Sequence, residues 1–289
     1  VHYFKERNSE AEMKEFIKSI ESSQRENFAA KPDVEIKERV SRDEYITTIN
    51  QIKAHIQQGD IYEMNYCQEF YSENAVIDPY QIYHELNEIS PMPFSVFSKC
   101  NDHYLMCASP ERYLAKRDNK IISQPIKGTA RRGKNKEEDQ KIREALYHDE
   151  KERSENVMIV DLVRNDLSRT AAKGSVNVEE LFGIKTFKQL HQMVSTIISE
   201  IDVNKDVADI LQTTFPMGSM TGAPKLKVMQ LTEQYEQTKR GIYSGSVGYI
   251  KPNGNFDFNV VIRSIMYNAN NKYLSYQVGG GITFYSVPE

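Results

Sequence analysis

Lys127 lies in the segment Pro125–Thr129, P-I-K-G-T, between a β-branched stretch and two arginines. A lysine in this setting is either a solvated surface charge or a nucleophile. Only the unprotonated amine can attack carbon, so a nucleophilic lysine requires burial or cationic neighbours that lower its pKa. Arg131 and Arg132 are candidate sources of that positive potential. The segment by itself leaves both interpretations open.

Two glutamates, Glu152 and Glu155, are three residues apart in a stretch with a helical pattern. On a helix their carboxylates project from nearly the same face. Such a pair can hold Mg²⁺, which takes few protein oxygens and completes its shell with water and substrate. A solvated acidic face is the ordinary alternative. The apolar stretch 157–160 that follows predicts a buried helix just beyond the pair, which favours the metal site.

The segment Thr213–Met229 contains Gly218, Gly222 and Lys225 in a faint likeness to a phosphate-binding loop. The glycine spacing is wrong for that loop, and no Ser or Thr follows the lysine, so a nucleotide site is excluded. Pro224 is expected in the first turn of a helix. The amide end of this helix could face an anion, or the segment is an ordinary helix start; its spacing favours neither interpretation.

Three glycines, Gly279, Gly280 and Gly281, follow a strand near the end of the chain. They would let the backbone approach a ligand and direct N–H groups at a carboxylate, or they form a bulge between strands. Arg263 lies in an earlier strand pattern. If it faces inward it needs an anionic partner, for which a substrate carboxylate is suitable, whereas an outward-facing arginine needs none.

The elements that must position these residues follow from caps and periodicity. Ser41 and Glu44 form a capping box for a helix that ends at Gly59. Further strands and helices come in runs, which favours an α+β fold with antiparallel sheets over a doubly wound fold. No Pro/Gly/Ser linker divides the chain, which predicts a single domain over residues 1–289. The predicted strands are 61–71, several between 94 and 123, and most of the last fifty residues; the predicted helices are 78–88, a block at 136–170, 207–214 and 224–235.

Composition narrows the class of protein. The chain has 289 residues, 39% of them hydrophobic, and a net charge of −4, which argues against binding to nucleic acid or to a membrane surface. No apolar run is long enough to span a membrane. The first residues are too charged for a signal peptide and lack an initiating Met, so the natural chain is expected to begin earlier. Three cysteines without a CxxC pair indicate free thiols in a reducing cytoplasm.

Taken together, these segments resemble the chorismate-utilising enzymes, which include the anthranilate, aminodeoxychorismate, isochorismate and salicylate synthases. Any one segment is weak evidence, but nine occur in the family's order from about Ser41 onward. The resemblance implies two large antiparallel sheets packed as a sandwich, with helices outside and the active site between the sheets. The matching segments are GDIYEMNYCQEF, ASPERYL, PIKGTARRG, DEKERSENVMIVDLVRNDLSR, HQMVSTI, FPMGSMTGAPK, RGIYSGSVGY, DFNVVIRS and GGGITFYSVPE.

The residue at position 127 divides the family, since anthranilate synthases resemble this chain but carry Ala there. In the aminodeoxychorismate branch the lysine attacks C2 of chorismate as the C4 hydroxyl leaves, and ammonia then adds at C4 and expels the lysine. The resemblance therefore implies that Lys127 is the nucleophile. Glu111 matches the family's proton donor; a salt bridge with Arg112 or Lys116 is the alternative. A carboxylic acid that stays protonated near neutral pH needs a desolvated site.

The resemblance also implies the remaining site residues, a magnesium ion and a partner. The ammonia is expected from a separate glutamine amidotransferase subunit, because the chain shows no glutaminase nucleophile motif, and the product leads to 4-aminobenzoate and folate. Anthranilate synthase activity, or a non-catalytic chorismate-binding regulatory subunit, are the alternatives. The implied substrate-binding residues are Gly128, Thr129, His191, Tyr243, Arg263, Gly279, Gly280 and Gly281, and the implied metal ligands are Glu155, the stronger candidate, and Glu152.

Three features depart from the family pattern. Members usually continue beyond the S-V-P-E motif with acidic residues that complete the metal site, whereas this sequence ends at Glu289. Larger members also carry an N-terminal extension, most of which is absent from the sequence. Finally, G-T-A-R-R-G replaces the commoner G-T-R-P-R-G, and Glu63 stands where amine-transferring relatives usually have Gln. Isochorismate synthases have a water-activating lysine at that position, so Glu63 argues against isochorismate chemistry.

Overall fold

The computed structural model describes residues 10–22 and 34–288, which belong to two compact units divided between residues 32 and 33. The first unit contributes one described helix, α1 (Glu10–Ser22). All other described elements belong to the second unit. Two expectations concern the ends of the sequence: that the natural chain begins earlier, and that the family's metal-site segment follows Glu289. The first nine residues and Glu289 lie outside the described residues. The single domain over residues 1–289 stays a prediction.

The second unit contains helices that follow local capping signals. Ser41 and Glu44 form the predicted capping box, and Gly59 ends the helix in the left-handed conformation. Asp78 caps the next helix, with Pro79 at its first position. The helices are α2 (Arg42–Gln58), α3 (Pro79–Ile89), α4 (Lys136–His148), α5 (Glu150–Ser168), α6 (Val207–Thr214) and α7 (Lys225–Tyr235).

Strands account for most of the remaining chain of this unit. They are β1 (Lys37–Glu38), β2 (Glu63–Ser72), β3 (Phe94–Cys100), β4 (His103–Ser109), β5 (Arg112–Arg117), β6 (Lys120–Gln124), β7 (Ile126–Arg131), β8 (Asn177–Thr186), β9 (Leu190–Glu200), β10 (Gly222–Ala223), β11 (Gly248–Ile250), β12 (Phe256–Asn259), β13 (Ser264–Asn268) and β14 (Tyr273–Ile282).

These strands form two antiparallel sheets among the described residues. The first sheet has the order β1-β2-β14-β13-β4-β3, with β10 paired to β2, and the second has the order β11-β12-β5-β6-β9-β7, with β8 paired to β9. This arrangement confirms the predicted α+β fold of two antiparallel sheets with helices.

Strand β2 shows how the first sheet is covered on both faces. Met64 and Tyr66 pack with buried residues of α2 and α7, whereas Cys67 joins a cluster that includes Leu114 and Ile197 of the second sheet. Because successive side chains of a strand point to opposite faces, one face of β2 carries helices and the other faces the second sheet. Helices α2 and α7 therefore cover one face of β2, while the cluster on its other face also includes residues of α5 and α6.

The structure corrects the predicted elements in three places. The helical block at 136–170 is two helices, because Asp149 ends α4 and its side chain caps the Glu152 amide of α5. The hairpin of β8 and β9 was not predicted. Strand β9 is almost continuously buried, so it lacks the polar–apolar alternation of a half-exposed strand. The predicted strand through Tyr243 is a turn, and strand structure resumes only at β11.

Among residues 10–22 and 34–288, no helix has both the length and the apolar character needed to cross a membrane.

Candidate active site

A cavity of about 350 Å³, open to solvent, collects residues from both sheets and from the turns that join them. A cleft of this size is typical of sites for small-molecule ligands. Eight of the predicted site residues line it: Glu111, Lys127, Gly128, Thr129, Tyr243, Arg263, Gly279 and Gly281. Four others, Glu152, Glu155, His191 and Gly280, are not among the lining residues. The structure therefore assembles most of the predicted site from segments far apart in the sequence.

Gly128 explains how β7 presents consecutive residues to the cavity. Its φ of +89° lies in the left-handed region, and the pairing of β7 with β9 shifts register between Ile126 and Thr129. A Cβ at position 128 would also lie 3.2 Å from Glu152 Oε2 and 3.3 Å from Leu146. Only glycine satisfies both the backbone conformation and the space. The irregularity brings Lys127 to the cavity wall.

Lys127 forms an ion pair with Glu63, a residue for which the sequence indicates no catalytic role. Its Nζ donates to Glu63 Oε1, and the side chains are 12% and 2% exposed. The other oxygen, Glu63 Oε2, is buried without a hydrogen-bond partner. The buried ion pair excludes the interpretation of Lys127 as a solvated surface charge. No local sequence pattern indicates this pairing, because the two residues are 64 positions apart.

The predicted cationic neighbours of Lys127 are engaged elsewhere. Arg131 pairs with Glu138 at 2.7 Å, and Arg132 forms two bonds of 2.8 Å with Asp139. Both carboxylates belong to α4, so these two ion pairs connect the end of β7 to that helix. The expectation that they supply positive potential to Lys127 is wrong, because their charges are already paired.

Gly281 makes room for the Lys127–Glu63 pair. The three glycines are part of β14, paired in register with Cys67, Tyr66 and Asn65 of β2, so they form neither a loop nor a bulge. A Cβ at Gly281 would lie 2.7 Å from Glu63 Oε1 and 3.0 Å from Lys127 Nζ. The glycine therefore permits a close approach of the ion pair to the β14 backbone.

We expect Gly281→Ala to displace Lys127 and lower turnover about 10-fold or more, since misplacement of reacting groups by about 1 Å can cost up to 10²-fold. Gly280→Ala is the matched control, because a Cβ there has nothing within 4 Å. Steady-state kinetics of both variants check this. Equal activity of the two would show that the space beside Gly281 is not needed.

Glu111 is buried, and burial raises its pKa to about 7. Hydrogen bonds from the Ser219 side chain and the Ile126 backbone, and the charges of Lys127 and Arg263, act in the opposite direction. The alternative salt bridge to Arg112 is not formed, because Arg112 pairs with Asp257 at 2.9 Å. Glu111 is therefore a carboxyl group that can hold and release a proton near neutral pH.

Arg263 lies in the break between β12 and β13, with a φ of +51°. Burial lowers its pKa, and Glu111 opposes that effect. In the described part of the chain its guanidinium makes one weak hydrogen bond, to Met92 Sδ at 4.0 Å. No carboxylate of the described residues forms an ion pair with this half-buried cation, so it is available to a ligand carboxylate.

Tyr243 lies in the turn before β11, with its side chain in the cavity wall. Burial raises its pKa well above the usual range, and its hydroxyl is hydrogen-bonded to the Cys67 thiol. The phenol therefore stays protonated and can donate a hydrogen bond, but not act as a base, near neutral pH.

His191, predicted to bind substrate, does not line the cavity. The ring nitrogens lie 2.9 Å from Thr186 Oγ1 and 3.0 Å from Asp139 Oδ1, and the residue is 1% exposed. The next residue, Gln192, lines the cavity instead. Because adjacent strand residues point to opposite faces, only one of the two can face the ligand. His191 is the structural histidine that links β8, β9 and α4.

The start of α7 does not line the cavity, which decides against an anion site there. Lys225 pairs with Asp166 at 2.5 Å and also donates to the Thr214 carbonyl. Pro224 occupies the N-cap position rather than the first turn. The segment is an ordinary helix start whose lysine is neutralised by a carboxylate of α5.

Glu155 has a buried, unpaired carboxylate oxygen of the kind that binds a cation. Its Oε1 is buried without a hydrogen-bond partner and lies 3.8 Å from Lys151 Nζ. Burial raises the pKa of this carboxyl group, and the charge of Glu63 raises it further. Among the described residues, no three His, Cys, Asp or Glu side chains form a metal-binding group. The one buried oxygen nevertheless fits Mg²⁺, which takes few protein ligands.

A family model for chorismate binding enzymes matches residues 2–289. Aminodeoxychorismate synthase component 1 of Bacillus subtilis is 37% identical over 86% of this chain and 52% of its own length. Anthranilate synthase component 1 of Aquifex aeolicus is also 37% identical, over 86% of this chain and 50% of its own length. The chain thus spans about half the length of the curated relatives it matches.

The fold is similar to that of a solved structure, anthranilate synthase component I of Streptococcus pneumoniae. The TM-score is 0.87 at 26% sequence identity, and the match covers 99% of this chain and 64% of the other. The arrangement of the two sheets therefore belongs to a known architecture.

Proposed function

The chain belongs to the chorismate-binding enzyme family, and we propose that it aminates chorismate at C4 to give 4-amino-4-deoxychorismate. The observation that carries the proposal is Lys127 in the cavity wall, in a buried ion pair, with Glu111 lining the same cavity. A relative with the aminodeoxychorismate synthase name also matches this chain. The cavity thus combines an amine nucleophile with an acid of suitable pKa.

In the proposed reaction, Lys127 Nζ first gives a proton to Glu63, which returns it when the lysine is released. The free amine then forms a bond to C2, the two ring double bonds shift, and the C4–O bond breaks. Glu111 gives its proton to the leaving hydroxide, which departs as water. Ammonia then adds at C4, and the C2–Nζ bond breaks to return the lysine. The new amine gives a proton back to Glu111, so the sum is chorismate plus ammonia giving aminodeoxychorismate plus water.

The other residues of the cavity bind and orient the substrate in this proposal. Arg263 holds a carboxylate by its guanidinium, and Tyr243 donates a hydrogen bond. Gly128, Thr129 and the backbone of Gly279 and Gly281 shape the wall. Mg²⁺ held by Glu155 and Glu152 would offset the negative charge of a substrate carboxylate.

The ammonia is proposed to come from a glutamine amidotransferase subunit, supported by the component 1 names of the relatives. The product would serve 4-aminobenzoate and folate synthesis in the cytoplasm. The three cysteines, all described, are free thiols, which accords with that compartment.

Product analysis tests the proposal directly. The protein is incubated with chorismate, Mg²⁺ and ammonium, and the products are separated and identified. Aminodeoxychorismate is the expected product. Anthranilate would assign the chain to the activity named for its Aquifex relative, which Lys127 argues against. Chorismate that is bound but unchanged would indicate a regulatory subunit.

We expect Glu155→Gln to abolish the response to Mg²⁺. Without the metal the variant should be at least as stable as wild type at pH 8, since the raised pKa means that ionised Glu155 costs stability as the pH rises. Mg²⁺ should raise the melting temperature of wild type but not of the variant, and Mg²⁺-dependent turnover should be lost. Glu152→Gln should act in the same direction but less severely. Glu150→Gln, an exposed position of the same helix, is the control. A normal Mg²⁺ response in Glu155→Gln would contradict the assignment.

A further inference from the structure

Arg240 has a buried guanidinium group whose hydrogen-bonding capacity is fully used. It lies in the segment between α7 and the turn of Tyr243, and its side chain is 14% exposed. An arginine has five N–H donors, and here each of the five has an acceptor. Two of them donate to the two carboxylate oxygens of Glu236, at 2.9 and 2.7 Å. The other acceptors are the Asn65 carbonyl at 2.9 Å, the Met220 carbonyl at 2.6 Å and Ser244 Oγ at 3.2 Å.

Glu236 neutralises this arginine and connects it to the first sheet. It is the C-cap residue of α7, and its side chain is 4% exposed. Its Oε1 also accepts a hydrogen bond from the Cys67 amide of β2 at 2.9 Å. A buried arginine is stable only with such a partner. Arg240 therefore differs from Arg263, because its charge is balanced inside the protein and is not available to a ligand.

The carbonyl groups that Arg240 binds belong to the wall of the candidate active site. Asn65 of β2 and Met220 of the short 3₁₀ helix Gly218–Met220 both line the cavity. Gln277 of β14 is a third lining residue, and its amide donates to the Arg240 carbonyl at 3.3 Å. Arg240 thus connects three wall segments that are far apart in the sequence.

The same guanidinium holds the turn that presents Tyr243 to the cavity. Ser244 follows Tyr243 and has a φ of +61°, in the left-handed region that residues other than glycine rarely adopt. Its hydroxyl accepts the bond from Arg240, and its amide donates to the Val261 carbonyl at 2.8 Å. These two bonds fix the turn on both sides.

We propose that Arg240 is a positioning residue for chorismate binding, which holds these wall segments at fixed separations before the substrate enters. The inference deepens the proposed function, because it takes chorismate as the ligand of this cavity. A wall that is ordered in advance avoids the cost of ordering it on binding. Lysine cannot replace Arg240 in this role, since an ammonium group has three donors instead of five in a rigid planar fork.

Arg240→Lys tests the proposal, because it keeps a positive charge beside Glu236 and removes two donors. At least two of the five acceptors must then lose their bond. The carboxylate attracts the ammonium group most strongly, so the wall carbonyls are the acceptors lost. The Kd for chorismate, measured by calorimetry, should rise roughly 10-fold, the scale of the cost of ordering a loop on binding. The KM for chorismate should rise with it, with a smaller fall in kcat.

Arg39→Lys is the matched control. Arg39 bonds Glu69 Oε2 at 3.2 and 3.0 Å and Tyr273 Oη at 2.8 Å, and none of these three residues lines the cavity. The same substitution there should leave the Kd for chorismate unchanged.

Glu236→Gln separates the wall contacts from the stability of the ion pair. It leaves Arg240 as a buried charge without a carboxylate, so the melting temperature should fall more than in Arg240→Lys. The glutamine carbonyl still accepts from Arg240 and the wall carbonyls stay bonded, so the Kd for chorismate should rise less than in Arg240→Lys.

Two results would overturn the inference in favour of a purely structural ion pair. One is an unchanged Kd for chorismate in Arg240→Lys. The other is a loss of affinity that follows the loss of melting temperature across Arg240→Lys, Glu236→Gln and Arg39→Lys. Calorimetry measures chorismate binding whatever the product is. Product identity therefore decides the proposed function and the binding comparison decides Arg240, so the two can fail separately.

Discussion

Lys127→Arg should lower amination by a factor on the order of 10³ or more, the scale of losses seen when a nucleophile is removed. Arginine keeps a positive charge beside Glu63 but remains protonated, so it has no free amine for attack on C2. Wild type incubated with chorismate but without ammonia should gain the mass of a covalent adduct on Lys127. The arginine variant should show none. Intact-protein mass spectrometry and peptide mapping measure both.

Variants of the buried Lys127–Glu63 ion pair are the controls for this experiment. Lys127→Ala leaves Glu63 as an unpaired buried charge, which typically costs about 3–5 kcal/mol in stability. The double variant Lys127→Ala, Glu63→Gln removes both charges and separates that loss from the loss of the nucleophile. Either alanine variant recreates the P-I-A-G-T of anthranilate synthases and is expected to form a changed product slowly, by direct attack of ammonia on C2. A fully active Lys127→Arg enzyme would end the covalent proposal.

Glu111→Gln should lower turnover by about 10²–10⁴-fold, the usual contribution of a general acid, while the protein still folds. Glutamine is the same size and cannot give a proton to the leaving hydroxide. In wild type, the proton-dependent rate should fall as the pH rises through about 7, the pKa of Glu111. The residual activity of Glu111→Gln should not show this fall in rate. The pH dependence of kcat/KM, which reports the pKa values of the free enzyme, measures both.

The stability of Glu111→Gln at high pH should rise although its turnover falls. This difference distinguishes a general acid from a residue that only forms a structural salt bridge. Burial holds the pKa of Glu111 above its unfolded value, so the folded state binds more protons and wild type loses stability as the pH rises from about 4.5 to about 7. Glu111→Gln removes this cost, so its melting temperature relative to wild type should be higher at pH 8 than at pH 4. A sharp loss of stability with high residual activity would show that Glu111 is structural.

The sequence by itself determined the elements whose signals are local. The capping box at Ser41, the left-handed Gly59 and the Asp78–Pro79 cap depend on neighbours within four residues, so they could be read from the chain. The α+β fold followed from the runs of strands and helices and from the order of the family segments. Eight of the twelve site residues predicted from motifs line the cavity, and the P-I-K-G-T motif includes the glycine that brings Lys127 there.

Only the tertiary structure decided which side chains meet. Glu63 and Lys127 are far apart in sequence, and the pairing follows from the packing of β2 and β14 near β7. The choice between His191 and Gln192 depends on strand register, since a shift of one residue exchanges the two faces. Arg131 and Arg132 are neutralised by α4, a contact that no local pattern indicates. The proton-donor role proposed for Glu111 likewise requires burial, which is a property of the assembled sheets. Desolvation and pairing depend on everything around a group, whereas caps and periodicity depend on the chain next to it.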